Sequence, residues 1–167
     1  FVYLQRHATP DLAREVLELS ASGVFKQREH KRYYPMGEVV AHLIGFTNVD
    51  DRGQEGLELT YDRYLRGTPG AKRVIKDRLG RIVEDVESIR VPRPGQDIEL
   101  SIDRRIQYLA YRELKAAVKN NKARAGSLVM LDVVSGEVVA MVNQPAHNPN
   151  NRDGMRPSHM RNRAVTD

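Results

Sequence analysis

A serine hydroxyl is a useful nucleophile at neutral pH only beside a base, and in serine acyl transferases that base is a lysine one helical turn away. Ser20, Ser22, Ser88, Ser101, Ser127, Ser135 and Ser158 are followed three positions on by Gly23, Phe25, Val91, Arg104, Met130, Val138 and Arg161. None of these is a lysine, and neither S-D-N nor K-T-G nor a G-x-S-x-G elbow occurs. The expected set of catalytic residues within these 167 positions is therefore empty. His7, His30, His42, His147 and His159 show neither H-E-x-x-H nor H-x-x-x-H spacing, so no metal site is expected. His42 stands among apolar residues and reads as a half-buried packing side chain. Gly67-Thr68-Pro69-Gly70-Ala71-Lys72 lacks the spacing and the Lys-Ser/Thr pair of a phosphate loop. Cysteine is absent, which excludes thiol catalysis, disulfides and thiolate metal sites.

Two charges remain that invite a reason. Arg32 lies just before Tyr34, Pro35 and Gly37, and Glu58 lies just after Gly53 and Gly56. Proline fixes φ, and glycine allows turns that a side chain would block. A charge inside each such cluster either pairs with the other and ties two helices into one unit, or is solvated and worth under about 1 kcal/mol. The paired arrangement is the expectation.

The elements that must position these residues are modest. With no Trp and three Phe, the core must rest on Leu, Val and Ile. The net charge of +5 suits an anionic partner or a solvated surface, and no aromatic-plus-basic RNA signature appears, so no nucleic acid is expected. No run of about eighteen apolar residues marks a transmembrane helix. Phe1-Val2-Tyr3-Leu4 lacks an initiator Met, and Ala164-Val165-Thr166-Asp167 carries no terminating punctuation; both ends read as cuts.

Thr9-Pro10-Asp11 predicts a helix start, with Gly23 as its closing cap. Short helices are predicted from Gly37 to Ile44, stopped by Gly45, and from about Gln54 to Leu65, stopped by Gly67. Arg73–Lys76 and Arg81–Glu84 predict a hairpin around Leu79-Gly80. Pro92-Arg93-Pro94-Gly95 predicts a linker and domain boundary. Beyond it come a strand at Ile98–Ile102, a long helix capped by Asp103, and strands at Leu128–Val133 and Val138–Val142. Gln144–Arg163, rich in Pro, Asn and Arg, predicts an extended loop.

Several of these segments resemble class B penicillin-binding proteins of the septal cell-division type. Arg32-Tyr33-Tyr34-Pro35-Met36-Gly37 and Gly53-Gln54-Glu55-Gly56-Leu57-Glu58 are similar to the R-x-Y-P-x-G and G-x-x-G-x-E motifs of that family's non-catalytic module. Leu100-Ser101-Ile102-Asp103 with Gln107 is similar to the start of its transpeptidase domain. Gly126–Asp132, Gly136–Met141 and Pro145–Asn151 resemble that domain's first hairpin and following loop. Met160-Arg161-Asn162-Arg163 resembles the stretch shortly before the nucleophile, which places Asn162 and Arg163 near the active site of a longer parent.

The resemblance implies an α+β fold. Residues 1–95 would be a pedestal (dimerisation-type) module with short helices and a β-hairpin, incomplete at its N-terminus. Residues 96–167 would be the first long helix and antiparallel hairpin of a β-lactamase-like transpeptidase domain, ending before S-x-x-K. The serine nucleophile is expected beyond Asp167, and a membrane anchor before Phe1. By resemblance, the parent is a D,D-transpeptidase that cross-links peptidoglycan stem peptides on the periplasmic side of the bacterial inner membrane, is trapped by β-lactams, and needs no metal or organic cofactor. Arg32, Tyr34, Pro35, Gly37, Gly53, Gly56 and Glu58 would shape its pedestal, whose partners are division proteins including a septal glycosyltransferase. The competing readings are a non-enzymatic structural or interaction module of the cell envelope and a basic nucleic-acid binder.

Overall fold

The computed structural model describes residues 1–78 and 82–166. Helix α1 (Pro10–Glu18) begins as predicted, with the Thr9 hydroxyl accepting from Leu12 N–H and Pro10 in the first turn. It ends well before Gly23, because Ser20 itself turns to φ 51° and donates its N–H to Leu17 O.

The next stretch is more broken than its periodicity predicts. A 3-10 turn at Gly37–Val39 precedes helix α2 (Ala41–Ile44), and Gly45 at φ +79° stops the chain there. The single helix predicted from Gln54 to Leu65 is two, α3 (Gly56–Thr60) and α4 (Asp62–Leu65). The break at Tyr61 has a cause: the Asp62 carboxylate turns back to accept Gly53 N–H at 2.9 Å, which fixes a new helix start.

Strands β1 (Ala71–Lys76) and β2 (Ile82–Arg90) pair antiparallel; the turn predicted at Leu79-Gly80 lies outside the described residues. Pro92–Gly95 is not a loose tether. Thr68 and Arg93 exchange backbone hydrogen bonds at 2.8 and 2.9 Å, and Gln96 N–H donates to Tyr64 O at 2.8 Å, so this segment is pinned alongside α4. Ile98–Ile102 forms no strand, and Ser101 lies in a bend. Its polar groups go instead to the edge of the later hairpin, with Ser101 Oγ donating to Val138 O.

Helix α5 (Arg104–Asn120) is capped by Asp103, which accepts from the N–H groups of Arg105 and Ile106 at 2.8 and 3.0 Å. Those two backbone bonds hold the Asp103 carboxyl below the usual range. Strands β3 (Gly126–Leu131) and β4 (Val138–Gln144) form the second antiparallel pair. The tail predicted as a loop instead carries helices α6 (Pro157–Met160) and α7 (Arg163–Thr166), and it folds back so that His147 and Pro149 are buried. The core is Ala110 and Tyr111 of α5 against Ala140 and Val142 of β4, sealed by Val39, Ile106, Leu114, Leu128 and Ala146. Val39 belongs to the 3-10 turn, so residues before Pro92 complete a core built by residues after it.

A buried polar seam as the candidate functional site

Arg32 and Glu58 meet. Arg32 Nε donates to Glu58 Oε1 at 2.7 Å, with Glu58 at 3% exposure and the Arg32 side chain 46% exposed. Arg32 is on an extended segment and not on a helix, so the pair ties that segment to α3 and does not join two helices. A cleft of about 280 Å³ beside it is lined by Lys31, Thr47, Asp62 and Arg66 among others.

The glycines beneath this pair are required by a backbone crossing. Phe46 O accepts Gln54 N–H at 2.8 Å, and Thr47 bridges Gly53. A Cβ on Gly53 would lie 1.9 Å from Glu58 O, and one on Gly45 1.9 Å from Glu55 O, so no side chain fits at either place. Gly56 and Gly37 take φ of +57° and +50°. Pro35 is exposed.

Tyr34 is buried and faces both ways along the seam. Its hydroxyl accepts Thr47 N–H at 3.0 Å. Its backbone pairs with Asn150: Tyr34 N–H donates to Asn150 Oδ1 at 2.9 Å, and Asn150 Nδ2 donates to Tyr34 O at 2.8 Å. Burial above all pushes the Tyr34 phenol up. Arg152 Nη1 adds a 2.8 Å bond to Thr47 O.

Gln107, wholly buried, joins three elements. Its Nε2 donates to Val39 O and to Met141 O, and its Oε1 accepts Met141 N–H, each at 2.8 Å. Nearby, Asp103 N–H donates to Val139 O at 3.0 Å. These bonds serve alternate residues of β4 on the side turned away from β3, as a neighbouring strand would. Beside them, Tyr111 donates its hydroxyl proton to Glu38 in a short bond. Lys115 Nζ lies 2.9 Å from the Tyr111 hydroxyl and 3.2 Å from Glu38 Oε2. The Tyr111 bond, then Lys115, hold the Glu38 carboxyl below its usual value.

Asn143, 1% exposed, accepts Ser127 Oγ–H at 2.8 Å and Ala164 N–H at 2.9 Å on Oδ1. Its Nδ2 donates to Asn162 Oδ1 at 2.9 Å, and Asn162 Nδ2 reaches His42 O at 3.3 Å. Arg163 points elsewhere, donating to Ser158 O at 2.8 Å. His42 is more deeply buried than a half-buried packing residue, at 7% exposure, and its ring reaches His159 O.

Of the residues singled out in the sequence, Arg32, Tyr34, Gly53, Gly56 and Glu58 therefore come together, and Asn162 joins from the far end of the chain. Asn143, Asn150, His147 and Glu38 are the seam residues that sequence reasoning missed. The signal for Asn143, His147 and Asn150 was an unusual density of amides and proline at and after the end of a strand, and Glu38 gave none beyond its place beside Pro35 and Gly37. The arrangement fixes backbones relative to one another, and the Ser127 hydroxyl faces the Asn143 amide and not a base.

Residues 3–100 match the penicillin-binding protein dimerisation domain. The chain is 50% identical over its full length to the peptidoglycan D,D-transpeptidase FtsI of Escherichia coli K12, covering 28% of that protein. It is 46% identical to the probable peptidoglycan D,D-transpeptidase PenA of Neisseria meningitidis, covering 29%. The crystal structure of penicillin-binding protein 3 from Mycobacterium tuberculosis superimposes on 77% of the chain and 25% of that structure, with a TM-score of 0.63 and 28% identity. The chain thus spans under a third of the length of these relatives.

Proposed function

The chain belongs to the penicillin-binding protein dimerisation-domain family, and from that premise we propose that it is the pedestal of a peptidoglycan D,D-transpeptidase together with the start of the catalytic domain. Residues 1–95 form the pedestal, and 96–167 form the first helix and hairpin of the transpeptidase domain. One observation carries the reading: Gln107 bonds Val39 of the first unit and Met141 of the second with one buried amide, a join suited to holding a catalytic domain in a fixed pose.

In the longer protein, a serine beyond Asp167 attacks the penultimate D-alanine carbonyl of a stem peptide. The terminal D-alanine leaves as the amine, and an amine of a neighbouring stem then displaces the serine from the ester. β-Lactams acylate the same serine. Within this chain, Arg32, Tyr34, Pro35, Gly37, Gly53, Gly56 and Glu58 hold the pedestal's shape, while Asn162 and Arg163 belong to the segment leading to that serine. The pedestal presents a surface to division proteins, among them a septal glycosyltransferase, on the periplasmic side of the inner membrane. Among the described residues no helix is long and apolar enough to cross a membrane.

The test is fluorescent-penicillin labelling, read after denaturing electrophoresis. The 167-residue chain is expected to take no label, and the polypeptide extended through the next Ser-x-x-Lys is expected to take it covalently. Label on the shorter chain, or an extended sequence without that motif, overturns the reading.

A further inference from the structure

Asn143 does for α7 what a capping residue ordinarily does for its own helix. Asn162 stands just before α7, and its carbonyl accepts the N–H groups of Val165 and Thr166 at 3.1 and 3.0 Å. From that place a side chain usually turns back to accept an N–H of the first turn. The Asn162 amide turns away instead, to Asn143 and to His42 O. Ala164 N–H goes to Asn143 Oδ1 at 2.9 Å, so the acceptor comes from β4, 21 residues earlier in the chain.

The orientation of both amides follows from the groups at the two ends. Ala164 N–H only donates, and His42 O only accepts. Asn143 therefore turns its oxygen to Ala164 and its Nδ2 to Asn162 Oδ1, 2.9 Å away, which leaves Asn162 Nδ2 for His42 O at 3.3 Å. Ser127, directly opposite Asn143 on β3, donates its hydroxyl to the same Oδ1 at 2.8 Å. Asn143 is 1% exposed, and both polar atoms of its side chain are engaged.

Helix α7 also packs on β3 and β4. Apolar packing alone tolerates small shifts of a helix along the surface beneath it. A bond from a strand side chain to the Ala164 backbone does not, because it sets the register of the first turn. The link through Asn162 extends the same constraint to α2, so residues from both sides of Pro92 converge on the start of α7. Side chains locked by such contacts are what hold a reacting group in place.

We propose that Asn143 is a positioning residue for the nucleophilic serine: together with Asn162 it fixes the start of α7, and so the course of the chain toward that serine. The inference rests on the pedestal reading, since the serine belongs to the longer protein.

The test is acylation of the full-length protein by a fluorescent penicillin, followed by stopped flow over a range of penicillin concentrations. In that step the serine oxygen bonds the β-lactam carbonyl carbon, the ring C–N bond opens, and the serine proton ends on the ring nitrogen. Three quantities are read: the dissociation constant of the initial non-covalent complex, the acylation rate constant and the fraction of protein labelled. Leucine nearly fills the space of asparagine without its amide. In Asn143→Leu the rate constant should fall about tenfold or more, as a misplacement of about 1 Å can cause, with the dissociation constant unchanged. A residue that only stabilises the fold lowers the labelled fraction and leaves the rate constant of the folded protein alone. A wild-type rate constant in Asn143→Leu, with any loss confined to the labelled fraction or the dissociation constant, overturns the proposal. Should Asn143→Leu not fold, Asn162→Ala decides, because it cuts the link to His42 O and keeps Asn143 on Ala164. A lowered rate constant at full labelling then supports the proposal, and a wild-type one overturns it. An unaltered full-length protein that takes no label overturns the pedestal reading itself, and this proposal with it.

Discussion

Gln107→Leu isolates what the seam contributes, because leucine nearly fills the same space and removes only the amide. Three backbone groups then lose their partner: Val39 O, Met141 O and Met141 N–H, each now bonded at 2.8 Å. Gln107 is wholly buried, so water does not replace the amide without a rearrangement. An unsatisfied buried polar group costs about 1–3 kcal/mol, which gives roughly 3–9 for the three. Burying a leucine side chain in place of the amide returns about 1.5–3 kcal/mol. From the middle of these ranges the expected net loss is about 4 kcal/mol, a large share of the stability of an ordinary domain. Denaturant unfolding followed by circular dichroism measures it, with exchange at the Met141 amide as the local readout. A loss under about 1 kcal/mol with Met141 still protected would show that the edge of β4 does not depend on this side chain.

Arg32→Ala and Glu58→Ala, taken alone and together, should be non-additive by about 1–3 kcal/mol in a double-mutant cycle, between an exposed and a fully buried pair because only Glu58 is buried; strict additivity refutes the tie. Gly53→Ala should lower stability by more than about 2 kcal/mol or prevent folding, since its Cβ would lie 1.9 Å from Glu58 O; a midpoint within error of wild type would mean the crossing relaxes freely. For His42 the folded value is depressed from 6.5 to about 4, so its contribution is fully present above pH 6.5 and is lost as pH falls toward 4. The loss amounts to about 3 kcal/mol. Unfolding midpoints of wild type minus His42→Gln across that window should show this slope, and parallel curves would refute it.

The elements with strong local signals were legible in the sequence. Thr9-Pro10 and Asp103 cap α1 and α5 through bonds to their own first turns, and β3 and β4 lie close to the strands read at Leu128–Val133 and Val138–Val142. The breaks were not legible, because each is made by a distant partner. Asp62 restarts a helix to reach Gly53 nine residues earlier, and the would-be strand at Ile98–Ile102 sends Ser101 to the end of β4. The seam divided in the same way. Arg32 and Glu58 stood out because a charge among Pro and Gly needs a reason, whereas Asn150 was hidden in a stretch whose composition says only loop. Asn150 pairs with Tyr34 across 116 positions, and no local pattern carries that information.

That the seam is made of amides bears on what it does. Its apolar counterpart is small, with Ala110, Tyr111, Ala140 and Val142 as the buried cluster, and apolar contact is tolerant of sliding and repacking. An amide with donors and acceptor all engaged is not, since a shift of one residue leaves several groups unsatisfied at once. Gln107 across Val39 and Met141, Asn150 across Tyr34, and Asn143 across Ser127, Asn162 and Ala164 each join segments far apart in sequence. Fixing register in this way adds little net stability per bond but permits one relative pose. A small core stitched by amides therefore holds segments from both sides of Pro92 in one relative pose, which is what the proposed pedestal would require.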